Sequence, residues 1–172
     1  GGGARRAGTC PRHGVEEGTA TGVMARRGDK GTARGGNAEA SGTESTATGR
    51  GAIDYADNST ATGALSEANG DGAAATGHSA LADGANATAS GAGSTADTEG
   101  TATGQGSTAG VNATATGQGA TANADSTAIG RAVSTSAAGA VAVGTDATTV
   151  VSGSGVGVGT GASTADGSAF GT

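Results

Sequence analysis

The sequence predicts an all-β chain wound as a parallel β-roll, a solenoid with one short coil per repeat. Three observations carry this: a glycine-anchored repeat of 12 to 15 residues running almost end to end, an alanine two positions before nearly every anchor, and too few large side chains for a thicker core.

The composition comes first. The 172 residues include 37 Gly, one Phe, one Tyr and no Trp, and the apolar fraction is largely Ala. Two thick layers of such residues bury too little surface to offset the entropy of ordering the chain. Only 14% of residues are charged, and the small residues are ordered by position, which separates the chain from disordered low-complexity sequence. The formal net charge of −6 hides an asymmetry, because Arg5, Arg6, Arg12, Arg26, Arg27 and Lys30 all fall within the first thirty positions. The acidic, aromatic-poor remainder excludes a nucleic-acid partner, which requires basic stripes and stacking platforms. No apolar run approaches the ~20 residues that span a bilayer, so no direct membrane insertion by this chain is expected.

Residues 1–18 read as an irregular end or a degenerate first coil. The anchor at Gly8 has poor flanks, and Arg6 fills a slot kept small elsewhere. Cys10 has no partner for an intrachain disulfide, and with Pro11 and His13 it lacks the ligand count of a zinc site. No metal and no cofactor are expected. No basic start followed by an apolar segment marks a signal peptide, so a secreted protein would be represented here by an internal piece.

The repeat array covers residues 19–172. Ser45-Thr-Ala-Thr-Gly49, Ser59-Thr-Ala-Thr-Gly63, Ala73-Ala-Ala-Thr-Gly77 and Ala87-Thr-Ala-Ser-Gly91 align on their last glycine, and the anchors continue backward to Gly35 and Gly22 and forward to Gly104, Gly117, Gly130, Gly144, Gly159 and Gly171. These glycines are the expected repeat turns. The residue two before the anchor is Ala in every unit but one, where Gly157 takes its place. Strand side chains alternate faces, so this slot points into a space too narrow for anything larger. A second small pair follows at plus three and plus five, as in Ser66/Ala68, Ala80/Ala82 and Ala120/Ala122, and makes a second short strand facing the same interior. Asn58, Asn86, Asn112 and Asp125, each five before an anchor, suit a turn because Asn and Asp tolerate the left-handed region. Stacking about thirteen coils at the ~4.8 Å strand spacing gives a rod of roughly 60 Å. A helical reading fails on the glycine and β-branched content and on the missing 3.6-residue stripe.

An interior of methyl and hydroxymethyl groups contributes only about 0.8 kcal/mol per buried carbon, so one chain has little to set against its ordering entropy. The outward face at minus three and minus one supplies another surface. It carries Thr46/Thr48, Thr60/Thr62, Thr101/Thr103 and Thr114/Thr116, then turns apolar through Ile129, Val141/Val143, Val156/Val158 and Phe170. A stacked aliphatic stripe on an otherwise wet side is expected to be covered by another copy of the chain.

Asn58-Ser-Thr-Ala-Thr-Gly63, Asn112-Ala-Thr-Ala-Thr-Gly117 and Asp125-Ser-Thr-Ala-Ile-Gly130 resemble the Asn-Ser-Val-Ala-Ile-Gly unit of trimeric autotransporter adhesin heads, the YadA-like family. The resemblance covers roughly residues 19 to 171. It implies a left-handed parallel β-roll, assembled side by side as a homotrimer, with the minus-three and minus-one residues named above meeting at the trimer axis. It further implies a head exposed at the cell surface, on the outer membrane of a Gram-negative bacterium, that binds a host extracellular matrix protein such as collagen, other host surfaces or further copies of itself. Where that family favours Val and Ile, this chain mostly has Thr, so the implied axis is hydrated along the threonine rows and dry at the Val/Ile/Phe end.

Enzymatic chemistry finds no footing in the sequence. The only histidines are His13 and His78, and His78 with Ser79 has no third partner in the repeat to complete a catalytic triad. Gly153-Ser-Gly-Val-Gly-Val-Gly159 has the look of a phosphate loop but keeps the repeat phase and is followed by no helix. Asp54, Asp71, Asp83, Asp97 and Asp146 do not follow the spacing of a calcium-binding β-roll. The sequons at Asn58, Asn86 and Asn112 fall on the turn slot, which accounts for their asparagines without a glycan. Ile53, Tyr55, Leu65, Leu81, Arg50 and Arg131 stand out among small outward neighbours as candidate ligand contacts. Two rival functions are an ice-binding solenoid, because threonine ladders organise water, and an inert spacer that carries another module.

Overall fold

A computed structural model describes residues 18–149, 155–164 and 168–170, so the irregular end expected before the array lies, apart from Gly18, outside the described residues. Among the described residues there is no helix. The chain forms a parallel β-solenoid of two sheets, one of 12 strands and one of 11, in which each strand pairs with its equivalent in the next coil.

The first sheet is built from three-residue strands that each end directly before an anchor glycine, from Thr19–Thr21 through Thr46–Thr48 and Val141–Val143 to Ser168–Phe170. Two-residue strands after the anchors, such as Ile53–Asp54 and Leu81–Ala82, form the second sheet. The register follows the glycine spacing, with coils of 13 residues from Thr19 to Thr32, 14 from Thr46 to Thr60, 15 from Val141 to Val156 and 12 from Val156 to Ser168. The anchors stay aligned because changes in coil length are absorbed between strands. Ladder bonds run from coil to coil, with Thr46 N donating to Ser59 O at 3.0 Å and Ile53 N to Ser66 O at 2.8 Å.

The interior is a single file of small side chains. Ala47, Ala61, Ala75, Ala89, Ala102, Ala115 and Ala128 are all fully buried two before their anchors. The alternation extends one step further back, since Ser45, Ser59, Ala73, Ala87, Ala113, Ser126 and Ala140 are buried as well. The interior serines satisfy their hydroxyls on turn carbonyls three residues earlier. Ser66, Ser94 and Ser107 donate to the carbonyls of Gly63, Gly91 and Gly104 at 3.0, 2.9 and 2.8 Å, while Ser45 and Ser126 donate to Gly42 and Asn123 at 2.7 and 2.5 Å. Both turns of a coil are thus tied to its core by the same local bond, and a serine costs little where its neighbours have alanine.

Several interior residues are larger than the repeat predicts. Asp54, Val133, Thr135 and Thr149 all occupy plus-three or plus-five slots and are almost fully buried. Thr135 is accommodated by polar partners, its hydroxyl accepting from the Asn123 amide at 3.0 Å and lying 2.6 Å from Ser126 Oγ. At the N-terminal end Arg27 takes a plus-five slot, and its Nη1 is buried with no partner among the described residues.

Each coil turns through left-handed backbone at two places. Five before the anchor, Asn58, Asn86, Asn112 and Asp125 have φ of 57°, 55°, 54° and 56°, as their tolerance of that region predicts. Two after the anchor the same conformation falls on Leu65, Ser79 and Ala132, with φ of 59°, 55° and 55°. Alanine gains nothing there to offset its steric cost, so Ala132→Gly is expected to stabilise the fold by about 1 kcal/mol. Chemical denaturation of the two proteins checks this, and an unchanged or lower midpoint contradicts it.

Candidate functional site

The first sheet presents two columns of side chains to the outside. One runs in register through Thr48, Thr62, Thr76, Ser90, Thr103, Thr116, Ile129, Val143, Val158 and Phe170, and the other through Thr46, Thr60, Ala74, Thr88, Thr101, Thr114, Thr127, Val141, Val156 and Ser168. Thr60, Thr62 and Thr103 are exposed, and most other members are half-buried by their neighbours in the column. Ile129 is 41% exposed and Phe170 78%. The columns change character without changing register. Threonine methyls and hydroxyls stand at the ~4.8 Å coil repeat up to Thr127, and aliphatic side chains continue the same rows beyond it. Arg34, beside Thr48, is exposed in the column and marks a cationic break near the N-terminal end.

The second sheet presents different chemistry. Arg26, Glu39, Ile53, Glu67 and Leu81 form one register column, followed by Thr95, Thr108, Thr121, Ser134, Thr148 and Ser163. The outward residues singled out by size thus divide by place. Ile53 and Leu81 lie in this column, Tyr55 directly follows the strand Ile53–Asp54, and Leu65 occupies the left-handed turn slot. Tyr55 and Leu65 are 53% and 51% exposed. Arg50 is exposed in a turn, and Arg131 faces Asp146 of the next coil at 3.8 Å.

Asp54 is the one fully buried charged residue among those described, and it stands in a slot held by Ala40 and Ala68 in the coils on either side. Its Oδ2 accepts from the Thr46 amide at 3.1 Å, and Oδ1 accepts from the Ser59 hydroxyl. Burial pushes its pKa above the ordinary carboxylate range, and the bonds from Ser59 and from the amides of Thr46, Ala56 and Ala61 offset only part of that. The unfolded chain therefore releases this proton at a lower pH than the folded one. Stability from this group is greatest below the ordinary carboxylate pKa and declines as pH rises between the ordinary and the raised value.

Replacing Asp54 by Ala leaves the Thr46 amide and the Ser59 hydroxyl with partners. The Thr46 amide keeps Ser59 O at 3.0 Å, and the Ser59 hydroxyl keeps Ala56 O at 2.6 Å. Asp54→Ala is thus expected to raise stability at neutral pH by about 1 kcal/mol and to remove the fall in stability as pH rises from the ordinary to the raised pKa. Urea denaturation at acid and neutral pH is the check, and a variant less stable at both counts against it.

Other candidate chemistry stays dispersed. Ser79 Oγ and His78 Nδ1 are 3.2 Å apart on the surface, and no carboxylate bonds to that ring among the described residues. No group of three or more His, Cys, Asp or Glu side chains is placed to hold a metal ion among the described residues. The glycine run at 153–159 is described only from Gly155, where Val156–Val158 is a strand of the first sheet. Successive turns carry short polar ladders instead, with Asn69 Nδ2 donating to Asp83 at 2.9 Å, Asn112 Nδ2 to Asp125 at 3.1 Å and Gln118 Nε2 to Gln105 at 3.1 Å. No protein-family model matches the chain, and no curated protein matches it.

Proposed function

We propose that the chain is the self-associating head of a cell-surface adhesin. In this reading three left-handed rolls stand side by side, their first-sheet columns meet at a common axis, and the homotrimer projects from the outer membrane of a Gram-negative bacterium. It attaches to a host extracellular matrix protein such as collagen, to host cells or to further copies of itself. The observation that carries the reading is the unbroken column in which Ile129, Val143, Val158 and Phe170 continue the threonine rows on one outward face. Apolar rows of that length on a solvated sheet favour a covering partner, and a second copy offers the same columns at the same repeat. The likeness of the Asn-Ser-Thr-Ala-Thr-Gly units to adhesin-head repeats supports the trimer and the adhesive role. Sedimentation velocity tests it directly. A concentration-independent trimer is expected, and a stable monomer overturns the assembly.

A second reading rests on the threonine rows themselves. Thr60 and Thr62 are exposed in register with Thr46 and Thr48, a flat array of methyl and hydroxyl groups able to order water as ice does. Ice shaping by a monomeric sample would favour it over self-association. The adhesive reading is preferred because an ice-binding face gains nothing from ending in Val156, Val158 and Phe170.

A further inference from the structure

The part of the second sheet centred on Glu67 differs from the rest of the rod. Glu67 lies in register between Ile53 and Leu81 of the adjacent coils, and its two-residue strand follows the turn that holds Leu65. Tyr55 adds a half-exposed ring at the corner of this island. A half-buried carboxylate thus stands between two aliphatic residues, yet it makes no ion pair with any described residue.

The same column shows what such a carboxylate does when a cation is in reach. Two coils earlier Glu39 is paired with Arg26, its register neighbour, at 3.8 Å. Around Glu67 the one Lys or Arg in an adjacent coil is Arg50, whose carbonyl accepts from the Leu65 amide at 3.0 Å and which forms no ion pair among the described residues, and no further Lys or Arg occurs before Arg131, whereas Asp54, Asp57, Glu67, Asp71, Asp83, Asp97, Glu99 and Asp125 all do. The surroundings carry an acidic excess, and the centre is acidic with an apolar rim.

We infer that this island is a docking surface for a cationic polypeptide. A lysine or arginine of the partner lays its methylene stem across Ile53 and Leu81 and sets its charged head on the Glu67 carboxylate, with the Tyr55 ring beside it. Long cationic side chains bind in this amphipathic manner, covering apolar surface with the stem while the head meets a carboxylate or an aromatic face. The acidic excess over the neighbouring coils steers a basic segment to this stretch, and the apolar rim holds it at one place on it. The inference deepens the adhesive reading by naming a partner class. It does not depend on the trimer, because the second sheet is a different surface from the proposed axis.

Fluorescence anisotropy of a labelled short peptide alternating Lys and Val, titrated with the intact chain at physiological ionic strength, tests the inference. The peptide is expected to bind, and its counterpart with Glu in place of Lys is not. Glu67→Gln is expected to weaken binding by about tenfold, whereas Glu99→Gln, which removes the same charge elsewhere on the rod, changes it by less than about twofold. Circular dichroism confirms that both variants fold. Equal losses in the two variants would reduce the attraction to diffuse charge and overturn the inference, as would failure of the basic peptide to bind. Sedimentation of the same samples reports the trimer separately, so a monomer that still discriminates at Glu67 defeats the assembly and leaves the docking surface standing.

Discussion

Gly63→Ala is expected to lower the stability of the array by about 3 kcal/mol or more. Gly63 has φ of 137°, beyond the left-handed well and in a region that residues with a Cβ do not enter without strain. A Cβ placed there meets the Gly77 carbonyl oxygen at 2.4 Å and its carbon at 2.6 Å, both backbone atoms of the next coil. Neither can yield without breaking the register that aligns the anchors. Gly106→Ala supplies the control, because φ is 64° there and nothing lies within 4 Å of the added methyl. That variant is expected to lose only about 1 kcal/mol, the ordinary cost of the left-handed region. Denaturant unfolding followed by circular dichroism separates the two, and similar midpoints for both variants would mean that close contact between coils is not what demands the anchor glycine.

Val143→Asp is expected to abolish self-association while leaving the roll folded. Val143 lies between Ile129 and Val158 in the outward column and is half-buried even in a single chain. Its side chain points away from the interior occupied by Ala142, so the substitution leaves intracoil packing untouched. In the proposed trimer it brings three carboxylates together on an apolar axis, where desolvation and mutual repulsion oppose assembly. Sedimentation velocity is expected to shift from trimer to monomer with an unchanged circular dichroism spectrum. Thr62→Ala, a neutral change in the threonine part of the same column, is expected to keep the trimer. A Val143→Asp protein that sediments as the wild type does would remove this face from the interface.

Much of the architecture was legible in one dimension. The glycine spacing gave the coil lengths with their irregularities, including the long step from Val141 to Val156 and the short one from Val156 to Ser168, because parallel in-register stacking makes sequence offset and coil length the same quantity. The alanine two before each anchor located the interior, and the same alternation carried two residues further back locates the buried slot of Ser45, Ser59 and Ser126, a signal as plain as the others. The threonine and aliphatic columns were readable for the same reason.

What the sequence by itself determined, then, is the repeat, the two short strands per coil and the face to which each side chain belongs, all of which follow from period-two alternation around a backbone conformation that only glycine suits. The tertiary structure decided what happens between residues 12 to 15 apart in the chain. It placed Asp54 in the alanine file, where Thr46 and Ser59 receive its carboxylate, and put Leu65 and Ala132 in backbone suited to glycine or asparagine. It also set Glu67 between Ile53 and Leu81 without an ion pair among the described residues. Neighbours in adjacent coils meet only once the register is formed. Whether a carboxylate is paired, buried or left waiting depends on those lateral contacts, which no local pattern encodes.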